Sequence, residues 1–299
     1  MIQELTLPES GVDVVFRHAS CADGALCEWL ASRRWPNAVI HELGARARLT
    51  RKQMRELEGK AALFLDVAPP KYQCQAIASI CTWVGAVEHH ATTRLEYERG
   101  NLEGVHLLLD ERVCASMLLW KLLHDQEQVP AIVELVNIRD TWQVMTDCKR
   151  ADSWSLCRAL SKRTGPSLIS LCDRVASGGI NPAYGSDKWK KYERQCIDTL
   201  RNGFWTFVML EGRSIPLFWI RGEPLHMASD IHHHLCKACA GHVTLLMTKG
   251  SVSGSDSNVH GCVRGPNALD IASSLDGGGH YLASGFRCQT SALSKLLFN

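Results

Sequence analysis

The run Thr82-Trp83-Val84-Gly85-Ala86-Val87-Glu88-His89-His90 decides how this chain folds. Its first residues favour extended backbone, and it closes on a carboxylate and two imidazoles before Ala91-Thr92-Thr93. Polar groups at the carboxyl end of a buried parallel strand project into the crevice where open α/β sheets hold their ligands. The triplet is therefore a candidate metal or phosphate site, although adjacent histidines at a strand end commonly serve as hydrogen-bonded surface groups.

Working outward, the same pattern recurs. Val12-Asp13-Val14-Val15-Phe16 reads as a strand, Arg17-His18-Ala19-Ser20-Cys21-Ala22-Asp23-Gly24 as a polar loop, and residues 25–34 as a helix. The loop offers an imidazole, a thiol and a carboxylate within six residues; the plainer role for Asp23 is to cap the helix, with Gly24 in its first turn. A short strand over 38–41 follows, then a polar segment with Thr50 as cap and Gly59 as stop. Ala61-Ala62-Leu63-Phe64-Leu65 is a continuous apolar run suited to a central parallel strand, and it ends in Asp66. A helix over 72–81 leads back to the opening run. Three strand ends of a βαβα pattern thus present His18 and Asp23, Asp66, and His89 with His90.

Residues 114–123 and 130–142 read as helices, with Asp140 near the end of the second; Arg139 and Asp140 otherwise make an ordinary surface pair. Helical composition continues through Trp154 and Leu171 to the break Ser177-Gly178-Gly179-Ile180-Asn181-Pro182. The expected organisation is a parallel-sheet catalytic domain over 1–186, a linker helix over 187–203 and a smaller mixed α/β domain over 204–299, an α/β protein throughout. In the last part, residues 204–210 and 215–220 form a hairpin through Glu211-Gly212-Arg213-Ser214. A helix near 228–239, a strand near 243–248 and a flexible loop over 251–258 follow. Arg264 comes after a short strand, and residues 268–275 read as a helix. Asp276-Gly277-Gly278-Gly279-His280 then lets backbone amides approach an anion that the imidazole also reaches.

Composition limits the function classes. At 299 residues and 45% apolar content the chain can bury two medium cores. No apolar run approaches the roughly 20 residues of a membrane-spanning helix, and the first residues lack signal-peptide character, so a cytoplasmic or other intracellular protein without membrane contact is expected. The 13 cysteines are scattered and mostly inside apolar segments, which reads as reduced thiols. A balance of 33 basic to 31 acidic residues gives +2, without the basic excess that tracking long duplex nucleic acid requires. Short anionic substrates remain open, as does a homodimer.

Taken together, these motifs resemble the DHH phosphoesterases, which include RecJ-like nucleases, nanoRNases, family II pyrophosphatases and exopolyphosphatases. His18 through Asp23-Gly24 looks like the first motif, Leu65-Asp66 the second, Glu88-His89-His90 the naming triplet and Arg139-Asp140 the fourth. Arg264 with Asp276 through His280 looks like the DHH-associated C-terminal domain. The resemblance implies a metal-dependent hydrolase of phosphoester or phosphoanhydride bonds, acting by two-metal-activated water on short oligonucleotides or nucleotide phosphates in preference to polyphosphate. It implies two divalent cations, Mn²⁺ before Mg²⁺ or Co²⁺. Asp66 would bridge them, His18 and Cys21 completing one site and Asp23, His89 and Asp140 the other. His90, Arg264, Gly278, Gly279 and His280 would hold the substrate phosphate, His90 also acting in catalysis, with the active site between the domains.

Two departures stand out. Glu88 replaces the Asp of the triplet, at a position whose acid supports the site more than it ligates. Cys21 stands where many members carry an aspartate; its sulfur either ligates as a thiolate or, as the oxygen chemistry of Mn²⁺ and Mg²⁺ favours, points away as a small buried residue. A paralogue that kept the fold as a binding scaffold and lost turnover is the alternative. A second cluster, His232-His233-His234 with Cys236, Cys239 and His242, has helical spacing and reads as buried thiols and solvated histidines rather than a zinc set. Trp29, Trp120 and Trp219 read as core.

Overall fold

A computed structural model describes residues 2–44, 47–125, 127–141, 143, 147–178, 186–210, 213–221, 227–238, 244–249 and 258–289. The break at 179–182, Trp142, the hairpin residues Glu211 and Gly212, Cys239, His242 and the loop over 251–257 lie outside the described residues. The chain forms two compact units, Met1–Trp189 and Lys190–Asn299.

The first unit is built on one six-stranded sheet. Its strands are β1 (Ile2–Gln3), β2 (Val14–His18), β3 (Val39–Leu43), β4 (Ala61–Leu65), β5 (Trp83–Glu88) and β6 (His106–Leu109). They lie in the order β1-β6-β5-β4-β2-β3. The five strands from β2 to β6 are parallel, and only the short edge strand β1 runs antiparallel, Ile2 opposite Leu109. Strand alternation sends Val15, Leu63, Leu65, Val87 and Leu108 to one core and Val14, Phe16, Ala62, Phe64, Ala86 and Leu107 to another. The first core is covered by α1 (Ala22–Arg34), α5 (Ala115–His124), α6 (Ala131–Asp140), α7 (Asp147–Leu160) and α8 (Gly165–Ala176). The second is covered by α2 (Arg51–Glu56) and α3 (Cys74–Ile80), with Tyr97 of α4 (Ala91–Glu98) packed against it. A sheet buried on both faces explains why β4 is apolar at every position and fully buried.

This strand order reverses between β2 and β4. Chain connections leave the carboxyl ends of these two strands in opposite directions, which opens the crevice where doubly wound sheets hold ligands. β2 also runs two residues further than the sequence pattern indicates, so Arg17 and His18 belong to the strand and not to the loop after it.

The second unit begins within the helix α9 (Ser186–Arg201) and carries a sheet ordered β11-β12-β10-β9-β8-β7. Its strands are β7 (Phe204–Leu210), β8 (Arg213–Arg221), β9 (Thr244–Lys249), β10 (Asn258–Arg264), β11 (Gly278–His280) and β12 (Ala283–Gln289), with helices α10 (Ala228–Ala238) and α11 (Ala268–Ser273). All pairings are antiparallel except β8 with β9. Ile215, Leu217, Val259, Val263, Ala268, Ala272 and Phe286 form its core. The edge strand β7 leaves Phe204, Trp205, Phe207 and Met209 exposed.

Several details differ from the sequence pattern. The glycine run is not a free turn: Gly278–His280 pairs with Ala283–Gly285 as a hairpin, which accounts for the second run of small residues. A Cβ on Gly277 would stand 2.5 Å from the carbonyl oxygens of Ala272 and Gly285, so only glycine fits there. The three histidines of α10 are not solvated, since His232 is fully buried and His233 and His234 are half-buried. Trp29 lies in the first unit's core with Trp120 packed half-buried against it, and Trp219, also half-buried, packs against the core of the second unit. Cys21, Cys27, Cys74, Cys81, Cys114, Cys157, Cys172 and Cys262 are free thiols.

Candidate metal centre

The carboxyl ends of β2, β4 and β5 bring His18, Asp66 and His89 together, and α1 and α6 add Asp23 and Asp140. His18 Nδ1 lies 3.3 Å from Asp66 Oδ2, while Asp66 Oδ1 lies 3.1 Å from His89 Nε2. That same His89 nitrogen is 3.2 Å from Asp140 Oδ2 and 3.8 Å from Asp23 Oδ2. Asp140 therefore faces a buried imidazole.

Asp66 follows β4 directly and takes a left-handed backbone, φ 59°, which costs a residue with a side chain roughly 1 kcal/mol. Its N–H donates to the Val87 carbonyl at 3.0 Å, joining the β4 and β5 ends. An unfavourable backbone held in place at a strand end is a mark of functional positions.

Asp23 does not cap its own helix. Cys21 occupies the N-cap of α1, and the Asp23 carboxylate accepts the backbone N–H groups of Ala115 at 2.8 Å and Ser116 at 2.9 Å, at the start of α5. The amide of Cys114, just before that helix, donates to Asn137 Oδ1 of α6 at 2.8 Å. The start of α5 thus ties α1 to α6 and sets Asp23 relative to Asp140. These partners are absent from the sequence reading, because they lie about ninety residues along the chain from Asp23.

Gly24 and Arg17 fix His18. A Cβ on Gly24 would approach the His18 carbonyl oxygen to 2.4 Å, so α1 packs on the end of β2 only through a glycine. The buried Arg17 donates to that carbonyl at 3.0 Å, to Glu28 at 2.9 Å and to Glu42 at 2.7 Å. A buried guanidinium with several acceptors is satisfied where an isolated one would be prohibitively costly. The signal for Arg17 lies in the strand run 12–16, had it been extended by two residues.

Glu88 folds back on the chain. Its Oε2 accepts the N–H groups of His89 at 2.6 Å and His90 at 2.9 Å and faces His90 Nδ1 at 2.8 Å; Oε1 accepts the Thr93 hydroxyl at 3.0 Å. It thereby holds the turn that leads into α4, whose N-cap residue is His90. The longer side chain of Glu makes this reach possible.

Cys21 Sγ, a ring nitrogen of His18 and an oxygen of Asp66 lie within 4.8 Å of one another, so the sulfur faces the site and does not point away. A second group of the same tightness joins Asp23, Asp66 and His89. Asp66 belongs to both.

The electrostatics express crowding of negative charge. Burial, and then Asp66 and Asp140, push the Asp23 carboxyl up to about 7. Burial alone would lower His89, but Asp140, Asp66 and Asp23 raise it to about 10. Burial opposes ionisation of Asp66 too, yet hydrogen bonds from His18 and His89 hold its carboxyl far below the ordinary range. Burial, then Asp66, Asp140 and Asp23, push the Cys21 thiol well up.

This donor set fits divalent metal. One imidazole N–H can satisfy one carboxylate, whereas three face His89 Nε2. Donors roughly 3 Å apart are spaced as neighbours in the coordination shell of a small divalent ion are. His18, Asp66 and Cys21 would hold one ion, and Asp23, Asp66, His89 and Asp140 another, the two carboxylate oxygens of Asp66 being divided between the sets.

In the second unit, the register places Arg264 and His280 each opposite Ala283, on the two strands flanking it. Residues directly opposite share a sheet face, so both side chains leave the same face of the same sheet end, two strand spacings or about 10 Å apart. Gly278 and Gly279 lie in the same hairpin, opposite Gly285 and Ser284.

No family model and no curated protein matches this chain. Among solved structures it is similar to an uncharacterized protein from Helicobacter pylori G27, at 13% identity and TM-score 0.39, covering 92% of this chain and 93% of that one. It is also similar to the pGpG-specific phosphodiesterase PggH from Vibrio cholerae, at 11% identity and TM-score 0.40, covering 95% of each. Similarity at this level leaves the function to be read from the residues. No described helix is long and apolar enough to cross a membrane.

Proposed function

We propose that this chain is a metal-dependent phosphohydrolase of the DHH type, cleaving phosphoester or phosphoanhydride bonds of short oligonucleotides or nucleotide phosphates. The observation that carries the reading is Asp66: its two oxygens face different imidazoles, His18 and His89, and it belongs to two donor groups at once. Two divalent cations held there, Mn²⁺ first and Mg²⁺ or Co²⁺ next, would supply Lewis-acid stabilisation of phosphate charge and a source of nucleophilic water. The protein's own groups do the rest. Asp23, anchored by the amides of α5, and Asp140, at the end of α6, hold negative charge in fixed positions. Glu88 faces His90 Nδ1 and so favours the imidazolium, whose Nε2–H can then donate to phosphate. Arg264 and His280 add donors for the same phosphate, since charge-assisted hydrogen bonds to phosphate are among the stronger ones.

The test is Asp66→Asn, which keeps shape and removes charge. Hydrolysis should fall by three or more powers of ten, with circular dichroism unchanged and bound metal, counted by mass spectrometry, reduced. The substrate panel is dinucleotides, longer oligonucleotides, cyclic dinucleotides, pyrophosphate and polyphosphate with Mn²⁺. Near wild-type turnover by Asp66→Asn would overturn the two-metal reading, and no turnover of any substrate by the wild type would favour the scaffold alternative.

A further inference from the structure

The segment after Asp66, Val67-Ala68-Pro69-Pro70-Lys71-Tyr72, leaves the same carboxyl edge of the sheet that carries the metal centre. The helical composition of 72–81 suggests that Tyr72 begins a helix. The structure starts α3 at Cys74 with Gln73 as its N-cap, so Tyr72 stands in the turn before it, 75% exposed.

An exposed tyrosine by itself means little. Three observations set this one apart. Its backbone is anchored: the Gln73 side chain accepts the Leu49 N–H at 2.7 Å and donates to the Leu49 carbonyl at 3.1 Å, tying the loop after β3 to the loop after β4. Leu49 is buried, which turns its exposed neighbour Arg48 toward Tyr72. Two cations therefore attend the ring, the Arg48 guanidinium carbon 5.7 Å and Lys71 Nζ 5.2 Å from its centroid. Lys71 also reaches Glu96 at 3.4 Å. Finally, β3 and β4 are the strands on either side of β2, so these loops border the His18 end of the site.

An anchored tyrosine ring with two exposed cations over it suits a nucleotide. Bases stack on tyrosine rings and on guanidinium planes, so a base can take the place of a cation over the ring, and the displaced cation then attracts phosphate. Inorganic pyrophosphate and polyphosphate have no face to stack.

We propose that Tyr72, Arg48 and Lys71 form a nucleobase-binding subsite, the base stacking on the Tyr72 ring and an adjoining phosphate meeting the two cations. This deepens the phosphohydrolase reading by assigning its substrate to nucleotides, and it rests on that reading for the substrate but not for the binding. The experiment is calorimetric titration of the full-length protein with a 5′-phosphorylated adenylyl dinucleotide and, separately, with pyrophosphate, both in Ca²⁺ to slow turnover. Tyr72→Ala should weaken dinucleotide binding on the order of 10- to 100-fold and change pyrophosphate binding less than about twofold. Tyr72→Trp should retain affinity, because the stacking face is kept. With Mn²⁺, Tyr72→Ala should raise KM for the dinucleotide and leave kcat within about threefold. Unchanged dinucleotide affinity in Tyr72→Ala, equal losses for both ligands, or a wild type that binds no dinucleotide would each overturn the subsite. The two readings fail separately: Tyr72-dependent binding without hydrolysis removes the enzyme and keeps the subsite, and hydrolysis with a Tyr72-independent KM does the reverse.

Discussion

A sulfur among oxygen and nitrogen donors sets up a competition at Cys21. Its surroundings oppose the thiolate: burial and three carboxylates all favour the neutral S–H. A divalent ion reverses that balance, because the thiolate is the ligand form and the ion stabilises it. With Sγ facing His18 and Asp66, soft ligation should favour Zn²⁺ or Co²⁺ over Mg²⁺. Cys21→Asp should therefore raise Mn²⁺- and Mg²⁺-supported activity by about tenfold and lower the Co²⁺ to Mn²⁺ activity ratio, while Cys21→Ser should lose Zn²⁺ and Co²⁺ affinity most. Activity across the four metals and bound-metal counts decide it; identical metal profiles for Cys21→Ser and wild type would show that the sulfur does not ligate. The orientation of Cys21 was not legible in the sequence. Oxygen chemistry argues for a thiol turned away, and only the packing of α1 on the end of β2 turns it inward.

At the scale of elements, the strand ends explain what could be read and what could not. His18, Asp66, His89 and His90 close apolar runs, and that local signal places them on the carboxyl edge of a parallel sheet without any knowledge of pairing. The strand β6 is only four residues long and β1 only two, and both owe their conformation to hydrogen bonds with neighbours. The turn into α4 mixes local and tertiary effects. Burial tends to raise the Glu88 carboxyl, but the His90 charge and hydrogen bond, then His89, lower it to about 2 from an ordinary 4.5. A carboxyl whose pKa falls on folding stabilises the protein above the unfolded value, and that stabilisation is lost as pH drops through the folded value. The window is pH 4.5 to about 2, and the contribution at neutral pH is about 3 kcal/mol. In chelator-treated protein, Glu88→Gln should lower the urea midpoint at pH 7, and its deficit relative to wild type should shrink as pH falls from 5 toward 2. A deficit constant from pH 7 to 3 would mean that the carboxylate charge does not matter to this turn.

For the whole molecule, the proposed hydrolysis would require a centre rich in carboxylates to bind an anionic substrate, and the net charge of +2 offers little long-range attraction. Affinity has to come from particular donors. In the proposed reading the second unit supplies two, Arg264 and His280, whose common neighbour Ala283 places them on one sheet face. The glycine-rich motif singles out His280 in the sequence; its alignment with Arg264 was not legible there, because it depends on β12 lying between them. If both serve one phosphate, they are coupled, and removing either spoils part of what the other does. His280→Ala and Arg264→Ala should each lower kcat/KM for a dinucleotide by about 10²-fold, and the double variant should lose clearly less than the product of the two. Bound Mn²⁺ should stay at wild-type stoichiometry in all three, since neither residue belongs to the donor sets around Asp66. Wild-type kinetics in both single variants, or loss of metal in either, would remove the second unit from the phosphate site and leave catalysis to the first unit alone.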